Sequence, residues 1–142
     1  MSGHKAAVER AVEIAKAKGV RRAMMLPVSA PFHSALMQPA ADVMADALAK
    51  VAIKTPRVAL IGNVVAAPVT APDAIRRGLV EQVTGTVRWR ESIAYMAAHG
   101  VTTFYEVGSG KVLSGLVKRI AEGASGVPIG TPEDVAAFKA AR

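Results

Sequence analysis

Cysteine is missing from this 142-residue chain, which excludes disulfides, thiolate zinc sites and a cysteine nucleophile. Aromatic residues make up only 4% of it, and none falls within residues 1–22, where Lys5, Arg10, Lys16, Lys18, Arg21 and Arg22 outnumber Glu9 and Glu13. Readers of single-stranded nucleic acid interleave cations with aromatics on which bases stack. The basic segment therefore lacks that signature, and no nucleic-acid partner is expected. The formal charge of +7 points instead to a partner rich in carboxylate or phosphate, or to solubility alone. Mean hydropathy is high at +0.29, yet no apolar run approaches the ~18 residues of a membrane span. Met1-Ser2-Gly3-His4-Lys5 leads into Glu9, Arg10 and Glu13 without the apolar core of a signal peptide. The expectation is a soluble, cytoplasmic protein that does not engage membranes. Three histidines scattered at positions 4, 33 and 99 lack metal-ligand spacing, so no metal site is expected.

Helices and strands alternate along the chain. Val8, Ala11, Val12 and Ala15 form an apolar stripe over a helix at 4–18 that Gly19 stops. Residues 23–28 are a short apolar run of strand length. Met37, Ala41, Met44, Leu48 and Val51 share one helical face. Residues 57–65 read as a buried strand with a Gly62-Asn63 irregularity, and Asp73 as the cap of a helix ending at Thr84-Gly85. A helix over 89–99 points Trp89, Ile93 and Met96 inward, with His99 a C-terminal cation before Gly100. Thr102–Val107 is a strand by its β-branched and aromatic content. Gly108-Ser109-Gly110 then turns the chain into a helix with Val112, Leu113, Leu116, Val117 and Ile120 on one face. After Val127-Pro128-Ile129, Thr131 is an N-cap, Pro132 opens the helix, and Glu133 and Asp134 occupy its first turn. This order argues for an α/β layer with a largely parallel sheet. A domain of this size buries roughly two thirds of its unfolded surface if its core is complete. The chain opens on a helix with no strand before it, so its beginning reads as cut.

The candidate chemistry lies in Leu26-Pro27-Val28-Ser29-Ala30-Pro31-Phe32-His33-Ser34-Ala35-Leu36-Met37. Two prolines stiffen the chain and favour extended geometry before them, which sets His33 on a loop between an expected strand and a helix. Imidazole takes and returns a proton at neutral pH, the work of a general acid/base. Asn63 fits either an approach to this site or a left-handed turn. Gly108-Ser109-Gly110 fits a tight turn better than a phosphate cradle. Lys111, Lys118 and Arg119 fit equally a solvated helix face or a surface for an acidic partner.

Four segments together resemble malonyl-CoA:acyl carrier protein transacylases, the acyltransferases that load malonyl groups for fatty acid synthesis. They are Ser2–Lys5 with Ala7–Arg10, Pro27–Met37, Arg88-Trp89 with Ser92-Ile93 and Tyr95–Ala98, and Tyr105–Ile120. The resemblance implies an α/β-hydrolase-like large subdomain beside a ferredoxin-like small one. Residues 1–29 would be the second half of the small subdomain and residues 30–142 the C-terminal part of the large one. It implies malonyl-CoA as substrate, acyl carrier protein as partner and no cofactor. A serine attacks the thioester in such enzymes, a histidine is its base, and a glutamine main-chain carbonyl orients that histidine. His33 matches the histidine and Gln82 the glutamine, although Gln82 read from the residues alone is a plain helix position. The Gly-x-Ser-x-Gly elbow of such nucleophiles occurs nowhere in these residues, and Gly108-Ser109-Gly110 has the wrong spacing. The expectation is a base without its nucleophile, inactive alone in malonyl transfer and completed by a missing N-terminal half. A reading from another class is a non-catalytic module whose basic face binds acyl carrier protein or another acidic protein.

Overall fold

The computed structural model describes residues 1–141. The chain divides into two compact units, Met1–Arg88 and a second from Trp89 onward.

The first unit is helical. Helix α1 spans Lys5–Ala17 and ends at Gly19, whose φ of +83° is a left-handed conformation that glycine adopts without a Cβ clash. Its expected stripe, Val8, Ala11, Val12 and Ala15, is the half-buried face of the helix. A short 3-10 turn at Ala35–Met37 leads into α2, Gln38–Ala49, which packs on α3, Pro72–Thr84. Arg76 on α3 ties the two together. Its guanidinium donates to the carbonyls of Leu48 and Val51, both at 3.0 Å, and pairs with Asp73 at 2.7 Å. The cation thus adds a donor to the Leu48 carbonyl in the last turn of α2 and to the Val51 carbonyl just beyond it.

Three expectations fail in this unit. Residues 23–28 and 57–65 form no ladder strands among the described residues. The second segment keeps only an isolated antiparallel bridge, Ile61 to Pro68. Composition supplied β propensity, but strand order needs a partner backbone to satisfy every second N–H and C=O along its length, and among the described residues the pairing of the second segment stops at the short turn that joins Leu60–Gly62 to Ala67–Val69. Their side chains are accordingly open, Leu26 at 70% and Val58 at 78% exposure. Ala71, not Asp73, is the N-cap of α3; Pro72 opens the helix and Asp73 lies in its first turn, where its charge still favours the helix dipole.

The second unit follows the expected order closely. Helix α4 spans Trp89–Ala98, β1 Thr103–Val107, α5 Val112–Ile120, β2 Ser125–Ile129 and α6 Pro132–Ala140. β1 and β2 pair in parallel, from Thr103 with Ser125 to Val107 with Ile129, so the sheet is parallel as expected but two-stranded. Ile93 of α4 and Val117 of α5 are fully buried and meet Ala121 and Ala124, with Trp89, Met96, Phe104 and Ile120 around them. Gly126 allows this packing, because a Cβ there would lie 2.3 Å from the Ser114 carbonyl oxygen. Val112 and Leu113, both in the first turn of α5, depart from the expected buried face at 73% and 40% exposure.

The N-termini of α5 and α6 are closed by side chains. Thr131 and Asp134 form a reciprocal capping box at α6, which the sequence pattern anticipates. Helix α5 has no cap from Lys111. Instead, Glu106 of β1 accepts the N–H groups of Leu113 at 3.1 Å and Ser114 at 2.7 Å. That carboxylate takes donors an anionic ligand would need, and Gly108 and Gly110 have φ of +138° and +95°, so Gly108-Ser109-Gly110 is a turn. His99, after α4, donates from Nδ1 to the Tyr95 carbonyl at 2.7 Å and stacks on the Tyr95 ring at 4.1 Å.

Candidate active site

The site lies within the first unit. His33 is a non-glycine residue with φ of +58°, a left-handed backbone that costs roughly 1–2 kcal/mol for an L-residue. Two prolines precede it, and Ser34 holds the turn closed by donating from Oγ to the Pro31 carbonyl at 2.7 Å. The 3-10 turn that follows packs against α2 and α3, which fixes the direction of the loop.

The ring points at the end of α3. Nδ1 lies 2.8 Å from the Gln82 carbonyl oxygen and 3.1 Å from that of Gly85. Carbonyl oxygens only accept, so Nδ1 carries the hydrogen and donates to both. In the neutral ring Nε2 is then an unprotonated acceptor, and the side chain is exposed. The acceptors are there for a helical reason: Gln82 sits in the last turn of α3, where backbone carbonyls have no donor ahead of them in the helix.

Two residues around this contact were not assigned from sequence. In the sequence Gly85 marks only a helix stop, yet its carbonyl is the second acceptor. A Cβ at position 85 would lie 2.8 Å from the Glu81 carbonyl oxygen and 3.1 Å from Val64 Cγ1. The dipeptide Thr84-Gly85 at a helix end was its one sequence signal. Asn63, left open between two readings, donates from Nδ2 to Gln82 Oε1 at 2.9 Å and so approaches the site.

An open groove of about 1620 Å³ runs past the ring. His33, Phe32 and Leu36 line it with Met24, Met25 and the apolar stripe of α1. Met24, Leu26 and Phe32 are all exposed, so much of the lining beside the His33 imidazole is apolar. His4 also borders this groove; His99 belongs to the other unit. Among the described residues no group of three His, Asp or Glu side chains could hold a metal, and no helix is long and apolar enough to cross a membrane. The arrangement can take a proton at Nε2 from a group in the groove while Nδ1 remains anchored.

The acyl transferase domain profile matches residues 1–131. The chain is 49% identical over 137 residues to the malonyl CoA-acyl carrier protein transacylase of Escherichia coli K12, covering 96% of this chain and 44% of that protein. Among solved structures, the acyl-carrier-protein S-malonyltransferase of Bartonella henselae superposes with a TM-score of 0.88 at 52% identity, over 98% of this chain and 44% of the other. A type II PKS acyl-carrier protein in complex with its malonyl-transacylase matches with a TM-score of 0.87 at 39% identity, over 97% and 45%. The chain thus spans about 44% of the length of the curated relative from Escherichia coli. With the profile covering nearly all of its residues and the fold shared with solved transacylases, this chain belongs to the acyl transferase domain family.

Proposed function

We propose that His33 is the general base of a malonyl transfer from malonyl-CoA to the phosphopantetheine thiol of acyl carrier protein, in fatty acid synthesis in the cytoplasm. The observation that carries this is the anchored Nδ1–H, 2.8 Å from Gln82 O, with Nε2 left open beside the groove. Gln82 is the orienting residue through its main-chain carbonyl. Residues 1–29 are the second half of a ferredoxin-like small subdomain and residues 30–142 the C-terminal part of the α/β-hydrolase-like large one. In support, the groove takes its lining from both sides of position 29.

The proton accounting is closed. Nε2 takes the proton of a serine hydroxyl as its oxygen attacks the malonyl thioester, and the imidazolium returns it to the departing CoA sulfur. In the second half Nε2 takes the proton of the phosphopantetheine thiol as sulfur attacks the acyl-serine, and returns it to the serine oxygen. A carbonyl acceptor suits this cycle, because Nδ1 donates to it in both charge states and the ring does not turn as the proton moves. The 142 residues contain no Gly-x-Ser-x-Gly elbow, so the attacking hydroxyl comes from outside them and the chain alone is inactive.

The test is malonyl transfer from malonyl-CoA to holo acyl carrier protein, measured for this chain alone and with the N-terminal part of a relative supplied. Expected are no transfer alone, transfer on addition, and loss of roughly 10²- to 10⁴-fold with His33→Ala. Transfer by the chain alone, or rescue indifferent to His33→Ala, overturns the reading. The neighbour solved with its carrier protein favours a second reading, a non-catalytic module that docks acyl carrier protein or another acidic protein through its basic face, Lys5, Arg10, Lys16, Lys18, Arg21 and Arg22, helped by Lys111, Lys118 and Arg119. That reading expects carrier binding by this chain alone, weakened by salt and by Lys118→Glu with Arg119→Glu.

A further inference from the structure

We propose that Asn63 is a positioning residue that sets the tautomer of His33 by clamping the segment carrying both of its acceptors; this rests on the reading of His33 as the base. Those acceptors, Gln82 O and Gly85 O, lie where α3 ends and regular helical hydrogen bonding stops. Asn63 grips this stretch from both sides. Its side chain donates to Gln82 Oε1 at 2.9 Å, and its own carbonyl accepts the Arg88 N–H at 2.8 Å. Between these points Gly85 lies against Val64, close enough that a Cβ would approach Val64 Cγ1 to 3.1 Å.

Asn63 is itself held rigidly. Gly62 N–H donates to Ala67 O at 3.1 Å, Ala66 N–H to Gly62 O at 2.8 Å, and Val69 N–H to Leu60 O at 2.8 Å, and Ala66 is buried with φ of +52°. A tight, internally bonded loop therefore braces a helix terminus whose two carbonyls hold the imidazole. An asparagine suits the contact because both partners are amides. Either orientation of the pair keeps one N–H···O bond, and an aspartate at 63 would keep it too, accepting from the Gln82 amide.

The experiment is nitrogen-15 NMR of the His33 ring in the full chain, at a pH where the ring is neutral, for the wild type, Asn63→Ala, Asn63→Asp and Gln82→Leu. The wild type is expected to show hydrogen on Nδ1 and none on Nε2. Asn63→Ala is expected to shift the tautomer ratio toward Nε2–H by roughly fivefold, the worth of one ordinary hydrogen bond. Asn63→Asp should restore it, and Gln82→Leu, which keeps the main-chain carbonyl, should match Asn63→Ala without adding to it in the double variant. A wild-type ratio in Asn63→Ala overturns the proposal. Should Asn63→Ala not fold, Gln82→Leu decides alone, and a wild-type ratio there overturns it equally. The ring is read without any transfer reaction. If Asn63→Ala shifts the ratio while rescued transfer ignores His33→Ala, the base assignment fails and the clamp stands.

Discussion

His33 combines a left-handed backbone, with φ of +58°, and two carbonyl acceptors for one ring N–H. The two features act oppositely on stability, which makes them separable. His33→Ala loses the hydrogen bonds and keeps the strain, whereas His33→Gly loses the hydrogen bonds and relieves it. Thermal melts are therefore expected to place His33→Gly above His33→Ala by about 1 kcal/mol. Gly85 gives the converse case, since its neighbour at 2.8 Å is backbone rather than a flexible side chain. Gly85→Ala forces the end of α3 to move and is expected to destabilise by roughly 1–3 kcal/mol, shifting the His33 ring resonances in the same sample. Read from the residues, His33 stood out through its flanking prolines and its place before a helix. Gln82 did not, because its contact with His33 spans 49 positions and uses main chain that every residue possesses; only the family resemblance singled it out.

Helix ends divide into those legible in the chain and those that required the fold. The capping box of α6 lies within four consecutive residues, so Thr131, Pro132 and Asp134 announced it directly. Thr131→Ala is expected to cost about 1 kcal/mol, measured as a shift in the denaturation midpoint. The cap of α5 comes from Glu106, seven residues before Leu113 on a strand, and nothing local marks a glutamate in a strand as a helix cap. Hydrogen bonds from the backbone and then the side chain of Ser114, with a lesser one from the Leu113 backbone, hold its carboxyl below the ordinary value of 4.5 against the opposing effect of desolvation. Asp134 is held below 3.8 by the N–H groups of Gly130 and Thr131. Both folded values lie below the unfolded ones, so the stabilisation is complete above about pH 5 and is lost as pH falls through the lowered values. Glu106→Gln is expected to flatten the acid limb of the stability curve measured below pH 5, because its amide cannot gain or lose that proton.

Across the whole molecule the two units differ in how much they enclose. From Trp89 onward, Ile93 at 0% and Val117 at 1% exposure anchor a cluster that spans two helices and the sheet. Ile93→Ala is expected to cost about 2–5 kcal/mol and to lower the melting temperature of that unit. Within Met1–Arg88 the buried apolar residues are Ala41 and Ala66, while Met24, Leu26, Val43 and Val58 are all exposed. Hydrogen exchange is accordingly expected to be slow at Ile93 and Val117 and fast over Met24–Leu26, where backbone groups lack ladder partners. Equal protection across both stretches would contradict this picture.

Local chemistry determined what the sequence could determine by itself. Helix positions followed from apolar spacing, helix ends from glycine and proline, and the strand after Gly100 from its side chains, because each depends on neighbours within a few residues. Tertiary structure decided the rest. It withheld ladder partners from residues 23–28 and 57–65, recruited Glu106 to a helix it does not belong to, and brought Asn63 and Gly85 to the histidine. Each outcome turns on which backbone groups meet across the fold, and a backbone N–H or carbonyl carries no mark in the sequence that names its distant partner.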